Sequence, residues 1–348
     1  MRYDDNGITT TMLAMLIVAV IVIAGVSYFV LKPGGDGNEK IQLIQAGSST
    51  VLPLAVAWAE EFNGADISVS GGGSSHGINA LLLGEADLGD ASRLMKGSDY
   101  TAVGGDATLV NADGTASGPA PGGVQPEKWV VAYDVLAVVV NNQNTWSGEL
   151  NYSHLRYIFA YNDSQPAAVY WDEVPGLTGA PHEKIEIYAP DEASGTYDYF
   201  FETIIPKWGK DTQAMKPRLE STDGVYHPSA DDNVILTAIK SNENAIGFFG
   251  FAYLIENPGD VKPVKLSKTG TIYVEPSFAN VATYPMARPL HIYTNGIPDD
   301  STKRGQAIKD YLQFILSDEG QAILPGIGFV KLDLVDASLL ESQRAKLN

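Results

Sequence analysis

Residues 41–92 carry the pattern that most constrains the fold, because a strand, a small-residue loop and a helix follow one another there twice. The strand-like "IQLIQAG" leads into "SSTVLPLAVAWAEEF", in which Leu52, Val56, Ala59 and Phe62 recur at helical spacing. The segment "DISVSGGGSSHGINALLLGEADLGDAS" then repeats the order of strand, Gly/Ser loop, helix and short strand. Alternation of this kind predicts an α/β architecture.

The length of the chain predicts two such units. At 348 residues, of which 45% are hydrophobic, the chain exceeds a typical single domain and can fill two cores. The near-continuous apolar run "WVVAYDVLAVVVNN" is typical of a buried strand or of one that crosses between lobes, and "YPMARPLHIYTN" provides a second apolar strand. The predicted division assigns 41–133 and 286–348 to lobe I and 134–285 to lobe II.

The charge balance narrows the class of partner. The chain has 23 basic and 42 acidic residues, a net charge of −19, which argues against nucleic acid and against anionic lipid headgroups. The same charge repels a small anion at long range, so an anion site would have to work through local donors. There is no cysteine, which excludes disulfides, zinc thiolate sites, thiol catalysis and a lipidated N-terminal cysteine.

The N-terminus contains an uncharged apolar run, "MLAMLIVAVIVIAGVSYFVL", that is long enough to span a bilayer as a helix. We expect an uncleaved single-pass transmembrane anchor at residues 12–31, after a short segment 1–11 and before a Gly-rich tether 32–40. Two alternatives remain: a cleaved secretory signal, and a pilin-type signal cut between Gly7 and Ile8. The flanking charges do not settle the orientation.

Hydroxyl residues precede three of the predicted helices. The three loops are Gly47-Ser48-Ser49-Thr50, Gly73-Ser74-Ser75 and Ser194-Gly195-Thr196. A helix N-terminus offers unpaired N–H groups and a positive dipole end, so each loop could hold a tetrahedral oxyanion. Any one of them could equally be an ordinary helix cap. Three such loops distributed over two lobes favour donors that surround a desolvated anion in a cleft.

Seven collinear segments between Ile41 and about Leu332 resemble the phosphate-binding proteins of ABC phosphate transporters, the PstS family. They are "AGSSTVLPLAVAWAEEF", "ISVSGGGSSHGINALLLGEADLGDASR", "VVAYDVLAVVVNN", "DEASGTYDYFFE", "DDNVILTAIKSNENAIGFFGFAYL", "YPMARPLHIYT" and "SDEGQAIL". The resemblance implies a two-lobed periplasmic-binding-protein fold of type II, each lobe a mixed sheet flanked by helices. It also implies an extracytoplasmic receptor that closes on phosphate and delivers it to an ABC permease.

The resemblance also suggests which residues bind the anion. The family's phosphate donors match Ser49, Thr50, Val51, Ser74, Ser194, Gly195 and Thr196. Pro190 stands where many members carry an arginine, and Ser92 where many carry an aspartate that accepts the phosphate proton. Arg93 follows Ser92 directly, so we expect Arg93 to be the cationic ligand, with its guanidinium fork on two phosphate oxygens. A surface salt bridge is the alternative role for Arg93.

Discrimination of phosphate from sulfate needs an acceptor for the proton that only phosphate carries. The candidates are Asp90, Asp191, Asp231 and Asp232. We expect Asp232, because "ADDN" opens a predicted helix that could face the cleft, and a plain N-cap is the alternative role.

The sequence offers little support for catalysis. It contains no G-x-S-x-G elbow and no Walker loop, and its five histidines are scattered without metal-ligand spacing. We therefore expect no catalytic residue, no metal and no cofactor, and a monomer. The alternatives are a receptor for sulfate, molybdate or another tetrahedral oxyanion, a phosphoesterase, and a surface or adhesion protein that keeps the receptor fold.

Overall fold

The computed structural model describes residues 28–29, 40–192, 194–205, 215–229 and 231–348. The strands, in chain order, are β1 (Tyr28–Phe29), β2 (Gln42–Gly47), β3 (Asp66–Ser70), β4 (Leu88–Ala91), β5 (Pro126–Val140), β6 (Glu149–Asn151), β7 (Ala160–Tyr161), β8 (Glu186–Pro190), β9 (Lys216–Pro217), β10 (Tyr226–Ser229), β11 (Ala245–Gly250), β12 (Lys262–Pro263), β13 (Lys265–Ser267) and β14 (Ala287–Asn295). The helices are α1 (Leu52–Glu61), α2 (Ser74–Leu82), α3 (Gly97–Ala102), α4 (Tyr152–Phe159), α5 (Gly195–Ile204), α6 (Asp232–Ser241), α7 (Phe251–Glu256), α8 (Lys303–Leu316), α9 (Asp318–Ala322), α10 (Leu332–Val335) and α11 (Ala337–Ala345).

These elements belong to two units. The first unit contains the described residues up to Tyr133 together with Pro289–Ile327 and Lys331–Asn348. The second unit contains Asp134–Arg288 and Gly328–Val330. The chain therefore passes from one unit to the other within β5 and returns within β14.

The sheet of the first unit has the strand order β1-β3-β2-β4-β14. β2 is parallel to both β3 and β4, because α1 and α2 carry the chain back to the start of the sheet between these strands. β14 closes the order by running antiparallel to β4, with His291 opposite Ala91. The helices predicted from the repeated strand–loop–helix pattern are confirmed at α1 and α2, and Pro53 lies in the first turn of α1.

The predicted transmembrane anchor, residues 12–31, lies outside the described residues except for Tyr28 and Phe29, and the segments 1–11 and 32–39 lie outside them as well. Tyr28 and Phe29 form β1, antiparallel to Val69 and Ser68 of β3, so the expectation of a helix is wrong at these two positions. None of the helices in the described ranges combines the length and the apolar character that crossing a bilayer requires.

The second unit is built on β5, β11, β8 and β10. β11 runs antiparallel to the end of β5 and parallel to β8, and β10 is parallel to β8. β12 pairs with β5, while β13 pairs with β6 and β7 with β9 in two small separate sheets. Each unit is therefore a mixed α/β domain.

A cluster of aromatic rings fixes α5 against the sheet of the second unit. Phe200 of α5 stacks on Phe248 of β11 with ring centroids 3.9 Å apart, and Phe159 of α4 meets Phe200 edge-on at 4.7 Å. All three side chains are fully buried. Rings of this size contribute much of the apolar burial in a domain of this kind, so the position of α5 is tightly defined.

Candidate functional site

The first hydroxyl loop joins β2 to α1 and is held by backbone contacts. The Ser48 N–H donates to Asp90 O over 3.0 Å, and Ser48 O accepts from Val51 N at 3.1 Å. Only glycine fits before it, because a Cβ on Gly47 would lie 2.2 Å from Asp90 O. Ser49 is exposed and Thr50 is half-buried, so this loop presents hydroxyls at the start of α1.

The second loop lies against the first. The Gly73 N–H donates to Gly47 O over 2.9 Å, and α2 begins one residue later at Ser74. Ser74 Oγ accepts from Ser92 N at 3.0 Å and lies 3.2 Å from Ser92 Oγ. Three of the predicted positions in the first unit are therefore brought together: the start of α1, Ser74 and Ser92.

Arg93 engages a carboxylate that the sequence analysis did not identify. Its terminal nitrogens contact Asp99 Oδ1 and Oδ2 at 2.8 Å each, and they also donate to Leu94 O at 2.9 Å and to Ser75 Oγ at 2.8 Å. The fork predicted to grip two phosphate oxygens is therefore on Asp99 in this structure. The ion pair of the alternative role is therefore present, but it is not a surface pair, since the Asp99 side chain is only 3% exposed.

Burial explains why Asp99 takes this partner. An ionised carboxylate removed from water needs a counter-charge and further hydrogen bonds, and Asp99 also accepts from Lys96 N at 2.8 Å. In the sequence, the sole indication of this pairing is that Asp99 follows Arg93 by six positions. Asp99 lies in the first turn of α3, a short helix that the apolar spacing does not predict.

The third loop caps α5 in the second unit. Ser194 is the N-cap, and its Oγ accepts from Thr196 N at 3.2 Å. The Ser194 N–H donates to Asp191 O over 3.1 Å. Pro190 ends β8 directly before this loop, and its carbonyl accepts from the Tyr226 hydroxyl at 2.8 Å. The helix cap and the predicted anion loop are therefore the same residues.

The acids at the start of α6 have separate roles. Asp231 is the N-cap, since its Oδ1 accepts from Asn233 N at 2.8 Å. Asp232 is the first helical residue, so the alternative that it is a plain N-cap is wrong. Burial, with a smaller contribution from the neighbouring Asp231, raises the pKa of Asp232 to about 6.

Asp90 lies at the end of β4, among buried polar groups. Its Oδ1 accepts from Gln45 Nε2 at 2.8 Å, and Gln45 Oε1 in turn accepts from the Tyr311 hydroxyl at 3.0 Å. Burial raises the pKa of Asp90 to about 8, against a smaller lowering by the Gln45 hydrogen bond. A carboxyl group in this state is protonated at neutral pH and contacts Gln45 of β2 as a neutral group, while the Asp90 backbone carbonyl accepts from Ser48 N in the first loop.

Comparisons with known proteins agree with one another. The family described as the PBP superfamily domain matches residues 34–319. Protein SphX of Synechococcus elongatus is 31% identical over 310 residues, which cover 87% of this chain and 81% of that protein. The phosphate-binding protein PstS of Staphylococcus saprophyticus is 29% identical over 335 residues, 93% of this chain and 91% of that protein.

A solved structure gives the same result for the fold. The crystal structure of a possible phosphate binding protein from Planctomyces limnophilus superposes with a TM-score of 0.71 at 27% identity, covering 89% of this chain and 98% of that one. The chain therefore belongs to the PBP superfamily and, within it, to the PstS family of phosphate-binding proteins.

Proposed function

We propose that this protein captures inorganic phosphate outside the cytoplasm and delivers it to the subunits of an ABC phosphate permease. The observation that carries the proposal is the meeting of two helix starts and Ser92 in the first unit of a chain that belongs to the PstS family. Each loop offers hydroxyl and N–H donors beside the positive end of a helix dipole, which favours an anion.

The proposed ligands come from both units. Those of the first unit are Ser49, Thr50, Val51, Ser74, Ser92 and Arg93, and those of the second unit are Ser194, Gly195, Thr196 and Asp232. We take the two units, which divide at 133/134 and 288/289, as the lobes of a type II receptor in place of the predicted division at 285/286. Hinge closure brings the second set onto an anion seated on the first. The protein acts as a monomer in this proposal.

Two of the proposed N–H donors have partners in this structure. The N–H groups of Val51 and Thr196 donate within their own loops at 3.1 and 3.2 Å. Both distances lie within the ordinary range of ~2.7–3.2 Å, so binding requires these N–H groups to exchange a neutral acceptor for a charged phosphate oxygen, which is the stronger acceptor. Arg93 adds positive charge beside Ser75, while Asp99 fixes the direction of its guanidinium group.

Asp232 is the proposed acceptor for the phosphate proton. Its pKa of about 6 leaves the carboxylate ionised at pH 8, where it accepts the proton of HPO₄²⁻ in a hydrogen bond. Sulfate has no proton to offer and would face an unshielded carboxylate, which rejects it.

Titration calorimetry with phosphate, arsenate and sulfate at pH 8 tests the function. We expect phosphate to bind in the micromolar range or tighter, and sulfate at the same concentrations to give no heat of binding. Absent phosphate binding, or sulfate binding of equal strength, contradicts the proposal; the second result would favour a receptor for another oxyanion such as sulfate or molybdate.

Two finer points belong to the proposal. We expect no catalysis, and steady turnover of a chromogenic phosphate ester would contradict this and favour a phosphoesterase. We also propose that the apolar run that begins at Met12 anchors the protein in the cell membrane, with Tyr28 and Phe29 near its end belonging to the sheet of the first unit. Recovery of the intact chain in the soluble fraction would contradict the anchor.

A further inference from the structure

Asp134 and Arg288 form an ion pair where the second unit begins and where its main segment ends. Arg288 Nε donates to Asp134 Oδ2 over 3.0 Å, and a terminal nitrogen of Arg288 lies 3.0 Å from the same oxygen. The two side chains are only 12% and 10% exposed. Close by, the Leu136 N–H donates to Met286 O over 3.0 Å. The segments that carry the chain out of and back to the first unit are therefore joined inside the second unit.

The same guanidinium group also contacts α5. Its central carbon lies 3.8 Å from the centroid of the Tyr199 ring, and Arg288 Nη1 lies 3.7 Å from Glu202 Oε2. Tyr199 is 6% exposed, so this cation–π contact is shielded from water and is stronger than a similar contact at the surface. The planar guanidinium group of Arg288 thus binds a carboxylate at its edge and stacks on an aromatic ring with its face. The ammonium group of a lysine cannot make both contacts in this way.

These contacts lie close to the proposed anion loop. Tyr199 is three residues after Thr196, which is roughly 4.5 Å along a helix axis. Because Thr196 and Tyr199 are within one turn of a hydrogen-bonded helix, a shift of the backbone at Tyr199 would move the Ser194–Thr196 end as well. Phe200, on the next position, is already fixed by its stack on Phe248.

We propose that Arg288 is a positioning residue for anion capture. It holds the Ser194–Thr196 end of α5 in place relative to the two crossing segments, and so sets the phosphate affinity without touching phosphate. The inference rests on the proposed function, because it concerns the loop that is expected to bind the anion.

The choice of variants follows from the burial of Asp134. Removing the charge of Arg288 would leave a buried carboxylate without its partner, which is strongly destabilising. Arg288→Lys keeps the charge and loses the fork and the stack, and Tyr199→Leu removes the ring while leaving the ion pair in place. The matched control is Arg304→Lys, at an arginine that makes a two-point ion pair with Asp87 in the first unit.

Calorimetry on the full-length chain measures the affinity. We expect Arg288→Lys and Tyr199→Leu each to weaken phosphate binding about tenfold, and Arg304→Lys to change it less than twofold. A double-mutant cycle separates positioning from general destabilisation: Arg288→Lys should be non-additive with Ser194→Ala and additive with Ser74→Ala. Wild-type affinity in both variants, or additivity in both cycles, overturns the inference.

Amide hydrogen exchange on the phosphate-free protein keeps the inference separate from the proposed function. In Arg288→Lys we expect the Thr196 and Asp198 amides, which bond to Ser194, to exchange at least tenfold faster than in the wild type, while amides of α2 are unchanged. Unchanged exchange at both amides overturns the inference. Wild-type protein that binds no phosphate contradicts the proposed function and leaves this exchange test in force.

Discussion

Asp90 couples the stability of the first unit to pH. Its carboxyl group is 1% exposed and has a pKa near 8, against 3.8 in the unfolded chain. Between these values the folded protein holds a proton that the unfolded chain has released. The free energy of unfolding therefore falls as pH rises from about 4 to about 8, and the contribution is fully present only below this range.

The variant Asp90→Asn tests this coupling. An amide reproduces the neutral carboxyl group and its contact with Gln45, so the variant should lack this part of the pH dependence. We expect urea unfolding at a series of pH values to show that the free energy of unfolding falls with pH more steeply in the wild type, by up to about 1.4 kcal/mol per pH unit. The variant should therefore be the more stable of the two at pH 8. Parallel curves for the two proteins from pH 4 to pH 8 would show that Asp90 is ionised in the fold.

The adjacent acids Asp231 and Asp232 form a matched pair for the proton-acceptor hypothesis. At pH 8, Asp232→Asn should weaken phosphate binding at least tenfold and admit sulfate, because the carboxylate that accepts the phosphate proton is gone. Asp231→Asn keeps an N-cap side chain on α6 and should change affinity less than threefold. Competition titrations with the two anions measure both effects, and equal behaviour of the variants would remove Asp232 from the site.

At the scale of elements, the proposed anion loops depend on close backbone contacts between α2 and the sheet. A Cβ on Gly77, in the first turn of α2, would lie 2.3 Å from Ala46 O and 2.5 Å from Gly47 Cα. Glycine at this position therefore lets the helix that begins with Ser74 lie directly on the strand that leads into the first loop.

Gly77→Ala should consequently displace α2. We expect a loss of roughly 1–3 kcal/mol in the free energy of unfolding, as for other overpacked sites, together with weaker phosphate binding. Gly326→Ala is the control, since no atom lies within 4 Å of its added Cβ and no loss is expected. Chemical denaturation and calorimetry check both variants; equal stability of the two would mean that the helix adjusts without cost.

Sequence patterns predicted elements better than they predicted side-chain partners. The starts of α1 and α2 follow from proline, small residues and apolar spacing, which act locally. Asp99 was missed because its pairing with Arg93 depends on how a short helix folds back, which no spacing encodes. The alternative that Asp232 caps α6 is wrong by one residue, because either acid of "ADDN" could supply the same side-chain oxygen.

The charge of the whole molecule gives a prediction about association rates. A net charge of −19 repels a phosphate dianion, and the Arg93 guanidinium offers little compensation at a distance because Asp99 neutralises it. Raising ionic strength from 0.01 to 0.15 M shortens the Debye length from about 30 to about 8 Å. Stopped-flow measurements should therefore show association about two- to tenfold faster at the higher salt concentration. A rate that falls with salt would indicate a positive potential at the site.

The pairing of β4 with β14 sets an order of events during synthesis on the ribosome. His291 of β14 lies opposite Ala91 of β4. The partner strand of β4 is therefore completed only after the whole segment from Asp134 to Arg288 has been translated. Domains fold as units while the chain emerges, so the second unit can complete its sheet while the first still lacks a strand. The nascent first unit must therefore hold the loops around Ser48 and Ser74 on an unfinished support until β14 has emerged.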